Sequence, residues 1–292
     1  MNFASSPGRA YAEVIGDPIA HSKSPLIHGF WLRKLGLDAE YRKCHVTPDQ
    51  LGDYIATRRC DPDWCGCNIT MPHKQAVVEH LDRLEIGAEL VGAVNTVTRR
   101  HDGALIGINT DVGGFLEPLS ALLEQQHYFR MARIIGTGGA ARAIVAALAE
   151  HGFTLVVAGR DIAKARALLD EIDPEGEHHT TALDHFAQAT EFAFDDREGC
   201  LDLVVNASPL GMDGSPPLAF DISHAPPQSI VYDIVTHPLH TQLLQDAEAA
   251  GLDTIDGYAM LIGQAAIAFE RLFDAPPPRE DGDRELRGLL AQ

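Results

Sequence analysis

The stretch Ala132-Arg-Ile-Ile135-Gly136-Thr-Gly138-Gly139-Ala140-Ala141 decides the fold. Its first four residues are a short buried-type strand, and Gly136-x-Gly138-x-x-Ala141 fits the G-x-G-x-x-G/A fingerprint between a strand and a helix. The first glycine permits the tight turn, the second lets a pyrophosphate approach the backbone, and a small third residue allows close helix–strand packing. The helix from Ala140 to Glu150 is rich in Ala, Ile, Val and Leu, and Gly152 closes it. Its N-terminus, where unpaired N–H groups and the macrodipole favour anions, is the expected seat of a pyrophosphate.

Further strands are expected at Thr154–Ala158, Asp202–Asn206 and Ser229–Val235, with helix-length segments between them. Such spacing implies right-handed crossovers and a parallel, doubly wound sheet. Cofactor choice is read at the end of the strand that follows the glycine turn. There a carboxylate favours NAD and an arginine receives the 2′-phosphate of NADP. Arg160 and Lys164 favour NADP; Asp161 points to NAD, which stays as the alternative.

Toward the N-terminus the alternation of β and α continues. Tyr11–Ile15 is strand-like, Ser24 and Pro25 suit the N-cap and first position of a helix closed by Gly36, and Tyr41 to about Arg58 forms a second strand–helix unit. Cys67-Asn68-Ile-Thr70 is a strand running into the Pro72 loop, with a helix expected from Lys74 to about Leu84. A last helix, Met260 to Phe273, precedes Pro276-Pro-Pro, and the final residues are expected as a short helix or a loose tail. The fold class is therefore α/β: an N-terminal α/β substrate domain and a Rossmann-like doubly wound nucleotide domain around a cleft. The expected bounds are 9–111, completed by 258–292, for the first, and 112–257 for the second.

Composition narrows the partners. The 292 residues are 45% hydrophobic and 22% charged with a net charge of -19, an acidic surface that repels nucleic acid and anionic lipid. An anionic ligand must then be met by local positive charge. The opening eight residues lack a basic n-region and an apolar h-region, so no secretory leader is expected. Cys44, Cys60, Cys65, Cys67 and Cys200 lack the paired spacing of zinc sites, and free thiols in a metal-free cytoplasmic protein are expected.

In the first domain Ser22 and Ser24 flank Lys23, and Asn68, Thr70, Asn95 and Asp111 are short polar groups at strand ends. A polyhydroxylated ligand needs such a wall of hydrogen-bonding groups. Lys74 and Asp111 are the candidates to share a substrate hydroxyl, a lysine oriented by an aspartate being able to shuttle a proton or hold charge on oxygen. Solvent exposure for Lys74 and helix capping for Asp111 are the plainer roles.

Together these stretches resemble the quinate/shikimate dehydrogenase family over nearly the whole chain. The resemblance rests on Gly16-Asp-Pro-Ile-Ala-His-Ser22-Lys-Ser24-Pro, Asn68-Ile-Thr70-Met-Pro-His-Lys74, Gly92-Ala-Val-Asn95-Thr96 and Asn109-Thr-Asp111, then on the glycine turn, Asn206-Ala-Ser208-Pro-Leu-Gly211-Met212 and Asp256-Gly257-Tyr-Ala-Met260-Leu-Ile-Gly-Gln264. It implies Lys74 and Asp111 as the catalytic pair, with Ser22, Ser24, Asn68, Thr70, Asn95 and Gln264 on the substrate. Gly136, Gly138, Gly139, Ala140, Arg160, Asp161, Lys164, Asn206, Ser208 and Gly257 would lie toward the nucleotide. The implied reaction is interconversion of shikimate and 3-dehydroshikimate with NADP, in chorismate and aromatic amino acid biosynthesis, by a monomer or homodimer. The alternatives are an NAD-dependent quinate/shikimate enzyme and a catalytically silent ligand sensor. Two departures bear on the substrate: Thr236 stands where the family carries Tyr, and Tyr258-Ala259 where shikimate-specific members carry Leu-Gly.

Overall fold

The computed structural model describes residues 8–194 and 197–292. The leader-free reading of the opening residues falls largely on 1–7, which lie outside the described residues. The chain divides into two units, one of Met1–Asp111 with Ile262–Gln292 and one of Val112–Leu261.

The first unit is built on a mixed sheet of six strands: β1 (Ala10–Gly16), β2 (Ala39–His45), β3 (Trp64–Ile69), β4 (Arg83–Leu84), β5 (Thr96–Arg99) and β6 (Leu105–Ile108), in the order β2-β1-β3-β5-β6-β4. β1 pairs in parallel with β2 and β3, whereas β5 is antiparallel to β3 and β6. Tyr11 and Ile15 of β1 point into a core with Tyr54, Ile55, Trp64 and Val97. Glu13 lies on that same buried side and is met by donors that include Arg58 Nε and NH2 at 2.7 and 2.9 Å, Tyr54 Oη at 2.8 Å and Arg42 Nε at 3.0 Å. A buried carboxylate is tolerated because it is paired and hydrogen-bonded on both oxygens.

Two expectations for this unit are corrected. Ser24 is the first residue of the Ser24–Leu35 helix and not its cap; the cap is Lys23, which offers no side-chain bond, and the Ser24 N–H is met by Ser22 Oγ at 3.3 Å. Gly36 does close this helix, in the left-handed region at φ 65°. The helix expected from Lys74 is a turn followed by a 3₁₀ segment, Ala76–His80, and then β4. The cause is a long-range competitor: Val94 N–H takes the Lys74 carbonyl at 2.7 Å, and Val78 N–H turns to the Gln75 carbonyl at 3.2 Å instead. The tail after the prolines is a helix, Glu280–Leu290, burying Leu286 and Leu290.

The second unit is a six-stranded sheet, parallel in every pair: β7 (Phe129–Ile135), β8 (Thr154–Gly159), β9 (His178–Ala182), β10 (Cys200–Asn206), β11 (Ile230–Asp233) and β12 (Asp253–Ile255). The order β12-β11-β10-β7-β8-β9 winds outward in both directions from β7/β10, the doubly wound Rossmann arrangement. Both faces are covered, as buried parallel sheets require. In β10, Leu201, Leu203 and Val205 join one core and Val204 the opposite one with Leu243, Leu244 and Ala247. Ala132–Ile135 therefore lies on the central strand, where the glycine turn leaves the sheet at its switch point. The edge strands β9 and β12 were not expected; both are short and polar on their exposed positions.

Among the described residues no helix is long and apolar enough to cross a membrane.

One buried group ties stability to pH. His28 is 1% exposed, stacks on Tyr41 with ring centroids 4.0 Å apart, and its Nδ1 has no partner among the described residues. Burial pushes its pKa down to about 3. The unfolded chain therefore takes up a proton that the folded chain refuses. Full stability from this group is present above the ordinary histidine pKa of roughly 6.5 and declines as pH falls from there toward 3. Urea midpoints measured across that window should fall less steeply in His28→Phe than in wild type; equal slopes would show that His28 does not supply this proton.

Candidate active site

Three loops at strand ends in the first unit bring the polar residues together. Thr70 follows β3, its N–H donating to Ile15 O at 3.0 Å, and Gly16 makes room for it. A Cβ on Gly16 would lie 2.4 Å from Thr70 Cγ2 and 2.9 Å from the Met71 carbonyl. Asn95 immediately precedes β5 and is fixed by Asn95 N–H to Ile108 O at 3.1 Å and Ile69 N–H to Asn95 O at 2.7 Å. Asn109 follows β6 and folds an Asx turn, accepting from Asp111 N–H at 3.0 Å and donating to Ala93 O at 2.9 Å.

These loops place Lys74 Nζ 2.5 Å from Asp111 Oδ2. Lys74 is 17% and Asp111 7% exposed, so the ion pair is largely withdrawn from water yet open on the lysine side. The other carboxylate oxygen, Oδ1, accepts from Asn95 Nδ2 at 2.8 Å. The second Asn95 amide hydrogen goes to Thr110 Oγ1 at 2.9 Å, and Asn95 Oδ1 accepts from Thr110 N–H at 2.8 Å and Thr96 Oγ1 at 3.1 Å. Asn68 is bound on both sides of its amide. Its Nδ2 donates to Thr96 Oγ1 at 2.9 Å and its Oδ1 accepts from Tyr41 Oη at 2.5 Å.

Lys74, Asp111, Asn95 and Asn68 thus belong to one hydrogen-bonded set. Ser22 and Ser24 form their own pair, Oγ to Oγ at 3.3 Å. Gln264 lies half-buried on the Gly257–Phe273 helix. Tyr41, Thr96, Asn109 and Thr110 were missed as site residues. The available signals were a single aromatic in the polar run of β2 and the threonines that directly follow Asn95 and Asn109.

In the second unit Gly136 has φ +122°, and a Cβ there would lie 2.8 Å from the Ala207 carbonyl. Only glycine meets both demands. Gly138 is the N-cap of the Gly139–Glu150 helix, provides no side-chain cap, and has open space where a Cβ would be. Beyond β8, Asp161 caps the Ile162–Ile172 helix by accepting from Lys164 N–H at 3.2 Å. That carboxylate oxygen is held by the backbone, while Arg160 and Lys164 are exposed. A cap-free helix start beside a glycine turn, with two cations past the neighbouring strand, fits a dinucleotide bearing an extra phosphate.

Asn206 and Ser208 are turn-formers. Asn206 Nδ2 donates to Leu210 O and Asp233 Oδ1, both at 3.0 Å, and its Oδ1 accepts from Ser208 N–H and Oγ at 3.1 and 2.8 Å. Asp233 also accepts from Thr241 Oγ1 at 2.7 Å and Val235 N–H at 3.0 Å, and burial pushes its pKa up. Gly257 is required by packing, since a Cβ would lie 2.2 Å from the Val235 carbonyl. Thr236 is half-buried and Tyr258 is buried at 3% exposure.

Comparison with known proteins gives a consistent result. The family model described as the shikimate dehydrogenase substrate binding domain matches residues 14–97. A relative from Sphingopyxis alaskensis, named shikimate dehydrogenase (NADP(+)), is 51% identical over 282 residues, covering 96% of each chain. Among solved structures, a shikimate dehydrogenase in complex with NADP+ superposes with a TM-score of 0.84 at 30% identity, covering 97% of this chain and 96% of the other. Shikimate 5-dehydrogenase from Thermus thermophilus, in complex with NADP(H) and shikimate, gives 0.79 at 32%, covering 96% and 99%.

The two turn glycines differ in what a methyl would meet: backbone at Gly136 and open space at Gly138. Gly138→Ala should fold with a thermal midpoint close to wild type, a change of under about 1 kcal/mol, yet lose dinucleotide affinity, because the added methyl fills only the space left to the ligand. Gly136→Ala should be the destabilised variant. Thermal melts paired with a fluorescence titration of NADPH distinguish them; unaltered NADPH affinity in Gly138→Ala would remove the turn from the site.

Proposed function

The chain belongs to the shikimate dehydrogenase family, and from that premise we propose that it interconverts shikimate and 3-dehydroshikimate with NADP(H), Lys74 and Asp111 handling the proton. The observation that carries the residue assignment is the withdrawn Lys74–Asp111 pair at 2.5 Å among asparagines and threonines.

NADP(H), when bound, supplies or accepts the hydride at the ring carbon. The protein's task is the proton on the attached oxygen. In the reducing direction the Lys74 ammonium donates one of its three protons to the carbonyl oxygen as negative charge gathers there, and the amine is reprotonated from solvent on its open side. In the oxidising direction the amine accepts the hydroxyl proton. Asp111 Oδ2 holds Nζ in place, while Asn95 keeps the carboxylate from rotating.

Ser22, Ser24, Thr70 and Gln264 take the substrate's hydroxyls and carboxylate. Asn68 and Asn95 wall the same site but act chiefly by holding their neighbours, since both amides already have protein partners. On the nucleotide side Gly136, Gly138, Gly139 and Ala140 receive the pyrophosphate and Arg160 and Lys164 the 2′-phosphate. Asp161 serves by starting the helix that carries Lys164. Asn206, Ser208 and Gly257 act through the backbone that they fix beside the turn.

Lys74→Ala should lower turnover by about 10²–10⁴-fold, the usual contribution of a positioned acid–base group, with NADPH affinity nearly unchanged. Retention of more than a tenth of wild-type turnover at 340 nm would refute the role. Arg160→Ala should raise the KM for NADP+ by about 10-fold or more, as expected for loss of a charged hydrogen bond, and leave that for NAD+ alone. Equal losses with both cofactors would make Arg160 structural.

A further inference from the structure

Following the donors backward from Asp111 fixes the direction of every bond in the first-unit network. A carboxylate accepts only, so Asn95 must turn Nδ2 toward Asp111, and the Thr110 N–H, also a donor, requires Oδ1 on the other side. Asn95 Oδ1 then takes the Thr96 hydroxyl proton, leaving Thr96 Oγ1 to accept from Asn68 Nδ2. That orientation turns Asn68 Oδ1 toward Tyr41, whose phenol must donate. The bonds at 2.5, 2.9, 3.1 and 2.8 Å all point the same way, from Tyr41 to the carboxylate.

The register explains why this path exists. Asn68 of β3 is directly opposite Thr96 of β5, the arrangement in which cross-strand side chains meet. Tyr41 of β2 is level with the small residues Ala12 of β1 and Gly66 of β3, and Asn68 stands one same-face position further along β3, level with Val14, so the phenol reaches it on the diagonal. Tyr41 itself is clamped, stacked on neutral His28 with ring planes 2° apart, and burial pushes its pKa well above the ordinary tyrosine value, so it remains a donor.

We propose that Tyr41 is a positioning residue for the reaction: through Asn68, Thr96 and Asn95 its phenol holds the Asp111 carboxylate in the rotation that presents Oδ2 to Lys74. This rests on the proton-handling role given above to Lys74 and Asp111. Without the phenol, Asn68 is free to reverse its amide, Thr96 can then donate to Asn68, and Asn95 Oδ1 loses the Thr96 proton and keeps only its Thr110 donors, so the amide that steadies Asp111 is held by fewer bonds. Aligned chains of this kind reinforce each bond in turn, so a loss at one end is felt at the other.

The test is steady-state kinetics on shikimate and NADP+ for Tyr41→Phe, Thr96→Val, Thr96→Ser, the Tyr41→Phe/Thr96→Val double variant and Lys74→Ala. Tyr41→Phe keeps the ring and the stack but deletes the donor. It should lower kcat about 3–10-fold, the range of one net hydrogen bond, with the KM for NADP+ unchanged. Thr96→Val should cost at least as much, Thr96→Ser should restore most of the loss, and the double variant should be no worse than Thr96→Val alone. The proposal is overturned by a wild-type kcat in Tyr41→Phe, by a change confined to the KM for shikimate, or by losses that multiply in the double variant. If Tyr41→Phe does not fold, the contrast between Thr96→Val and Thr96→Ser decides, equal kcat values overturning the chain. An active Lys74→Ala would instead bring down the underlying role, and an inactive one alongside a wild-type-like Tyr41→Phe would bring down the chain alone.

Discussion

Asp111 is buried, and a carboxylate removed from water must be met by donors on each oxygen or lose its charge. It has Lys74 on one side and Asn95 on the other, while Asn109 ties down its backbone N–H. Each of these residues sits at a strand end or in the turn after one, so the requirement of one acidic side chain becomes a requirement on the alignment of β3, β5 and β6. The asparagines serve because an amide has a donor end and an acceptor end one short side chain from the backbone. A glutamine would carry the same groups one bond farther out, and a serine could not donate twice.

The second unit meets a different constraint, the closeness of backbone to backbone. Gly136 against the Ala207 carbonyl and Gly257 against that of Val235 leave no volume for a Cβ. Both contacts sit at the carboxyl ends of β7, β10 and β11, where a doubly wound sheet opens a crevice at its switch point. Asn206 and Asp233 then fill the hydrogen-bonding needs of the loops leaving those strands.

What was legible in the sequence was what the local backbone dictates. The glycine turn, the buried runs of β8 and β10 and the left-handed Gly36 each follow from residues adjacent in the chain, and Lys74 and Asp111 stood out as charges among neutral hydrogen-bonders. What escaped depended on partners far away. The Lys74 segment has a helix-compatible sequence and fails to form one because Val94 takes its carbonyl. Tyr41 and Thr96 join the site only through strand register, which periodicity does not reveal. Edge strands β9 and β12 carry too little apolar patterning to be seen, being defined by the neighbour that pairs with them.

Arg160 and Lys164 stand exposed in a chain of net charge -19, and Asp161, the acid beside them, is engaged at a helix start. A polyanionic nucleotide taken up there, as proposed above, would meet repulsion at long range and attraction only within the last few ångströms. Salt screens the first over a Debye length of about 8 Å at physiological ionic strength and weakens the second at contact. Ionic strength thus acts on arrival and residence in opposite senses: added salt shortens the search for the site and also shortens the stay.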